Sequence, residues 1–175
     1  MLLGRQEALG GDELNESPEQ LAELQSVIDR SARTAGPAIK QNFVGDGWSM
    51  SAAEFVAFWG VARMATVSTA SPDGIVHAVP LDIHLVDGRF YIPTFPDSQR
   101  LQDHRLNARC AITSWEDAYR AVIVYGNARE VGVDPTARTA ETTTEQNYST
   151  GSMVTIEVTP TRIYAIRPPE GHHAS

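Results

Sequence analysis

The chain has 175 residues, enough for one domain or one domain with an arm, and its 42% hydrophobic content is enough for a core. Its 22 acidic and 14 basic residues give a formal net charge of −8, which argues against a nucleic-acid or anionic-membrane partner, since both need a basic field. Of the 14 basic residues 13 are Arg, and the one lysine, Lys40, leaves a Schiff-base enzyme a single candidate nucleophile.

Residues 1–16 are Gly-rich and acidic and read as loose. Ser17-Pro18-Glu19-Gln20 is a capping box with Pro at the first helical position, and Leu21, Leu24 and Ile28 follow at helical spacing. A helix is predicted over 18–34, stopped by Gly36 as a left-handed cap and Pro37 as a breaker. Its apolar stripe is narrow, so it should lie on the surface of something larger. Residues 41–50 read as a linker. A second capping box, Ser51 to Glu54, opens a short helix carrying Phe55, Phe58 and Trp59 and ending near Gly60.

From residue 61 the pattern becomes that of strands. Arg63 to Ser68 is the first, and Ser71-Pro72-Asp73-Gly74 is a turn. Ile75 to Val86 alternates, with Ile75, His77, Val79, Leu81, Ile83 and Leu85 on one face. Asp87-Gly88 is a hairpin signal, and Phe90 to Phe95 is the third strand. Pro96-Asp97-Ser98 opens a short helix to Arg105 or Leu106. Cys110 to Trp115 and Ala121 to Tyr125 are two more strands, the second wholly apolar and expected to be central. It continues through Arg129 to Val131 after a bulge at Gly126. Residues 133–151 read as a polar excursion with one short helix after Asp134-Pro135. The last strand runs from Met153 through Ile166, ended by Pro168-Pro169. Short connections exclude parallel crossovers, so the expected fold is mainly β: a six-stranded antiparallel barrel with peripheral helices.

Much chemistry is missing from the sequence. There is no GxGxxG after a strand, no phosphate-binding GxxxxGK[ST], no GxSxG elbow and no HExxH. Cys110 is alone, which leaves no intramolecular disulfide and no CxxC. No apolar run approaches the ~20 residues of a membrane helix, and the start lacks an apolar signal core, so the expectation is a soluble cytoplasmic protein with no membrane partner. His172 and His173 read as tail residues and His77 as a core histidine. Asp82 and His84 read as a polar pair on an outer strand face. No catalytic side chain and no metal site are assigned.

One segment stands apart. At Thr94-Phe95-Pro96-Asp97-Ser98-Gln99-Arg100 a strand ends and a helix begins, with an arginine in its first turn. A helix N-terminus carries free N–H groups and partial positive charge, so an Arg there needs something negative nearby. Asp97 is one candidate. A bound phosphate, held by the Arg100 fork, the Ser98 hydroxyl and Thr94, is the other.

The order of these signals resembles the pyridoxamine 5′-phosphate oxidase-like FMN-binding split-barrel family. The likeness rests on Arg63-Met64-Ala65-Thr66-Val67, Asp73 to Leu81, Phe90-Tyr91-Ile92-Pro93-Thr94, Ser98-Gln99-Arg100 and Val124-Tyr125-Gly126-Asn127-Ala128. It covers about residues 50–132, with an echo at 153–166. The resemblance implies a helical arm over 1–45, a flavin-binding split barrel over 46–168 and a flexible tail over 169–175. It further implies a homodimer with FMN at the subunit interface and a small-molecule substrate. Arg100 would hold the cofactor phosphate, with Thr94, Ser98 and Gln99 beside it and Arg63 reaching the same group. Met64, Ala65, Thr66, Val79, Pro80 and Leu81 would run along the ring and ribityl chain. The family's commoner helix has Lys in place of Arg100, followed by Arg-Asn-Leu, whereas this chain continues Leu101-Gln102-Asp103-His104.

The function implied is an FMN-dependent oxidoreductase. A deazaflavin-dependent reductase on the same fold would show Arg105, Arg109 or Arg120 at the groove mouth. A non-enzymatic flavin or haem binder would show His77 or His84 facing the groove. A barrel without cofactor would show the groove blocked by Phe95 or Trp115.

Overall fold

The computed structural model describes residues 16–43, 47–60, 62–116, 119–131 and 153–169. Residues 1–15 of the expected loose start, the excursion at 133–151 and the tail histidines lie outside these residues, while Glu16 is described and buried. Three helices precede the sheet: α1 (Pro18–Thr34), α2 (Pro37–Phe43) and α3 (Ala52–Trp59). The strands are β1 (Ala62–Ala70), β2 (Val76–Val86), β3 (Arg89–Thr94), β4 (Arg109–Trp115), β5 (Ala121–Val131) and β6 (Val154–Ile166), with α4 (Gln99–Leu106) between β3 and β4. The strands close into an antiparallel barrel in the order β1-β2-β3-β6-β5-β4.

Local chemistry sets the element ends. Both capping boxes form: Ser17 with Gln20 and Ser51 with Glu54 exchange side-chain and backbone bonds. The β2–β3 turn has positive φ at Asp87 (53°) and Gly88 (68°), the tight hairpin geometry that this dipeptide favours. The end of α1 departs from expectation. Ala35 caps it in an extended conformation (φ −64°, ψ 141°), and Gly36 has no positive φ. Pro37 then occupies the first position of α2 instead of only breaking the chain, because that position needs no N–H donor. The linker expected at 41–50 is in part structured: Phe43 closes α2, and Ser49 bridges Ile166.

The core fills the barrel and the space under α1 and α3. Phe55, Phe90, Ile92, Ile112, Val122, Val124, Ile156 and Val158 are fully buried. Leu24 and Ile28 of α1 join the same cluster, so the narrow stripe does seat the helix on the barrel. β5 lies between β4 and β6, as its apolar run suggested, and its register shifts between Tyr125 and Gly126.

β2 is buried over only part of its length. β1 pairs with it throughout, from Ala62↔His84 to Ala70↔Val76, but β3 pairs only at His84, Leu85 and Val86. The first half therefore has a neighbour on one side. Of the face expected to be apolar and inward, Ile83 and Leu85 are buried, Leu81 is half-buried and Val79 is exposed, while Ile75 precedes the strand and is exposed. His84, expected on an outer polar face, is buried. It is the register partner of Tyr91, which sits in a second apolar cluster with Val131 and Val86.

Candidate functional site

Two regions of the barrel collect the predicted site residues. The first is the junction of β3 and α4. Thr94 is fully buried at the strand end and donates its hydroxyl to the Ile92 carbonyl (3.2 Å). Ser98 caps α4, and its Oγ accepts from the Leu101 N–H (3.3 Å). Arg100 follows in the first turn, with no acidic residue in that turn. Its Nε and Nη2 donate to Thr94 Oγ1 (3.3 and 3.2 Å), and Nη2 also reaches the Pro93 carbonyl (3.4 Å). All of these acceptors are neutral. Asp97 is exposed, and no ion pair joins Arg100 to a carboxylate of the described residues. Burial lowers the Arg100 pKa from its ordinary value, as expected of a partly desolvated cation without a counter-charge. A guanidinium so placed, at a capped helix start, fits a small anion with fork geometry.

Of the remaining residues of α4, Leu101, Asp103 and His104 are buried, whereas Gln102, Arg105 and Leu106 are exposed. Asp103 is 1% exposed and accepts from Thr69 Oγ1 (2.6 Å), Gln99 Nε2 (3.0 Å) and His77 Nδ1 (2.8 Å). Gln99 thus braces Asp103 within the helix. His77, read from sequence as a core histidine, joins β2 to α4 with its ring one-third exposed. Nothing in strand periodicity could reveal a partner 26 residues away.

His104 is buried, and neither ring nitrogen has a hydrogen-bond partner. Burial, reinforced by the Arg100 charge, lowers its pKa to about 4 against an ordinary 6.5, with Asp103 opposing. The unfolded chain therefore takes up this proton first as the medium is acidified. Stability contributed by neutral His104 is present above pH 6.5 and is lost progressively from about pH 6.5 to about pH 4. Burial lowers the pKa of His84 as well, so it adds to the same slope. Denaturant midpoints measured across this window should fall with pH, and His104→Leu should flatten the dependence. An unchanged slope in that variant would assign it to other groups.

The second region is the outer face of β1, β2 and β4. Met64, Ala65, Thr66, Pro80 and Trp115 line an open groove of ≈ 350 Å³. It is mostly apolar, with Met64 and Trp115 58% and 62% exposed. Four of the residues expected along the ring and ribityl chain meet there. Val79 and Leu81 are not among the lining residues, and neither is Arg100. Trp115, expected at the groove only in a barrel without cofactor, lines it as well. It is visible in sequence as an aromatic at a strand end, but only the antiparallel pairing of β1 and β4 places that end beside Met64. Arg63 turns elsewhere: its guanidinium pairs with Glu116 and lies 3.9 Å from the Phe58 ring centre. Glu116 also holds Arg120 (3.1 Å). Cys110 is buried, and burial pushes its thiol up to about 12, far from a reactive thiolate. Among the described residues no helix is long and apolar enough to cross a membrane, and no group of three or more His, Cys, Asp or Glu could hold a metal.

A closed six-stranded antiparallel barrel, with a short helix after the third strand and an open groove on its outer face, defines the class of fold. The sequence profile of the family described as pyridoxamine 5′-phosphate oxidase matches residues 51–167, two-thirds of the chain. The chain belongs to that pyridoxamine 5′-phosphate oxidase-like family. Solved structures share the fold. A conserved hypothetical protein from Mycobacterium tuberculosis superimposes with a TM-score of 0.59 at 19% identity, over 74% of this chain and 96% of the other. An FAD-binding protein from Mesorhizobium loti gives 0.55 at 16% identity, over 67% and 93%. The haem storage protein HutZ from Vibrio cholerae gives 0.55 at 8% identity, over 65% and 92%. At these identities the likeness is one of fold. A search of curated proteins finds no match.

Proposed function

We propose that this protein is an FMN-binding oxidoreductase acting on a small organic substrate, with the cofactor held between two copies of the chain. The observation that carries the reading is Arg100: a half-buried guanidinium at a capped helix start, bonded among the described residues only to neutral oxygens. Arg100 would take the FMN phosphate, with Thr94 fixing its fork and the Ser98 cap ordering the helix start. The apolar groove along Met64–Thr66 and Pro80 would receive the ring system, and a bound flavin would supply the redox chemistry. The chain's own part is to orient the ring and exclude water. A second copy of the chain over the exposed Met64, Val79 and Trp115 would wall the groove and connect it with the anchor. The family's flavin chemistry and the FAD-binding relative support this reading.

FMN is favoured over a deazaflavin by the charge at the groove. None of Arg105, Arg109 and Arg120 lines it, and Arg105 and Arg120 are paired with Glu130 and Glu116. Among the described residues a longer acidic cofactor tail would meet no basic side chain lining the groove. A haem site is disfavoured because His84 is buried and His77 is tied to Asp103.

The test is titration of the purified protein with FMN and with riboflavin, which lacks the phosphate. Arg100→Ala should weaken FMN by about 1.5–3 kcal/mol, the range for a charge-assisted contact, and leave riboflavin nearly unchanged. Equal FMN affinity in the variant would move the phosphate elsewhere. Molar mass in solution checks the dimer, and a monomer at working concentration would sink the shared groove.

A further inference from the structure

On an α-helix, residues three apart are neighbours on one face, and oppositely charged side chains at that spacing attract. Arg100 and Asp103 have this spacing, yet no ion pair joins them. The reason lies in what surrounds Asp103. A carboxylate only accepts hydrogen bonds, and all three side chains around this one act as donors. Thr69 of β1 and His77 of β2 both bond Oδ2, and Gln99 bonds Oδ1. Burial alone would raise the Asp103 pKa, but bonds from Thr69, Gln99 and His77 outweigh it and keep the carboxylate ionised. Because His77 donates through Nδ1, the bond also fixes its tautomer when neutral.

We propose that Thr69 and His77 are positioning residues that hold Asp103 against the β1–β2 hairpin, away from Arg100, so that the Arg100 guanidinium stays available to an external phosphate. Without them the chain would neutralise its own anchor. A carboxylate three residues along the helix is tethered, so it competes with a free ligand at high effective concentration. The requirement is for donors at two strand positions that are register partners, Thr69↔His77, which places both side chains on the face that α4 covers. This inference rests on the phosphate reading of Arg100.

The experiment separates the two. FMN and riboflavin affinities are measured for the wild type, Arg100→Ala, Asp103→Asn, the Thr69→Val/His77→Leu pair, and that pair combined with Asp103→Asn. The pair should bind FMN about tenfold more weakly, as for loss of one charge-assisted contact, with riboflavin unchanged. Adding Asp103→Asn should restore FMN binding, since an amide cannot neutralise Arg100, while Asp103→Asn alone should change little. A merely structural role predicts parallel losses for both flavins and no rescue, and either result overturns the proposal. So does an equal gain from Asp103→Asn with and without the pair, which would mark a general charge effect. A crystal structure of the pair variant gives a readout independent of flavin: the Asp103 carboxylate should move to within ion-pair distance of Arg100, and a carboxylate still at its original place refutes the mechanism. If Arg100→Ala itself leaves FMN affinity unchanged, the phosphate reading fails, whatever Asp103 does in that crystal.

Discussion

Trp59→Ala should lower the stability of the fold by about 3–5 kcal/mol, the range for removing a large aromatic from a packed core. Trp59 is 1% exposed at the end of α3. Its ring sits edge-on to Phe90 with centroids 4.6 Å apart, and Phe55 lies 6.2 Å away. Alanine would leave a cavity that α3 and β3 cannot both close, because each is held by its own backbone bonds. The indole N–H also donates to the Ile83 carbonyl (3.1 Å), so truncation removes a polar tie between α3 and β2. Trp59→Phe separates the two contributions, since it keeps most of the apolar volume and loses the bond, and it should cost less. Urea unfolding midpoints check both. A loss below ~1 kcal/mol for the alanine variant would mean that the core repacks around the gap.

Gly126→Ala should cost about 1–3 kcal/mol, the range for overpacking. The cause is a close approach, with no positive φ at this residue. A Cβ at Gly126 would collide with Val158 Cγ1 and lie 2.8 Å from the Thr159 carbonyl oxygen. One neighbour is a side chain on a central strand and the other is backbone, so neither yields freely. The site is the β5–β6 register shift, where the bulge brings the strands together. Combining Gly126→Ala with Val158→Ala should recover part of the loss, because one clash goes and the other remains, and the two substitutions should be non-additive. Simple addition of the two costs would show that the strands separate instead.

The same two residues show how far sequence carries. Gly126 stood out because it ends an apolar run that the strand pattern of Arg129 to Val131 continues, which is a strand signal with a bulge in it. Trp59 stood out as one of three aromatics on a capped helix. Both are local patterns, and both held in the structure. The seven-residue α2 did not stand out, since Gly36-Pro37 terminates one helix and starts another with the same residues. The solvent exposure of the first half of β2 was also hidden. Alternation reports which residues share a face, whereas burial depends on how far the next strand extends, and β3 pairs with only three residues of β2.

For the candidate site the division is similar. Ser98, Arg100 and Thr94 were legible because a strand end, a cap and a first-turn arginine follow one another within seven residues. Met64, Ala65, Thr66 and Pro80 meet because Ala65↔Leu81 and Thr66↔Pro80 are register partners in a hairpin whose turn the sequence announces. Glu116 and the strand donors to Asp103 were not legible, since they converge from different strands and α4 through the barrel closure.

Sequence by itself determined most of the elements and their antiparallel arrangement, because capping, turn chemistry and period-two alternation act within a few residues. Only the tertiary structure decided which charges are free. Arg63 is neutralised by a glutamate 53 positions away, while among the described residues Arg100 has no ion-pair partner, the aspartate three positions away having its acceptor sites occupied by β1, β2 and Gln99. Pairing depends on distance in space and on competing donors, and neither is written in the local pattern of the chain.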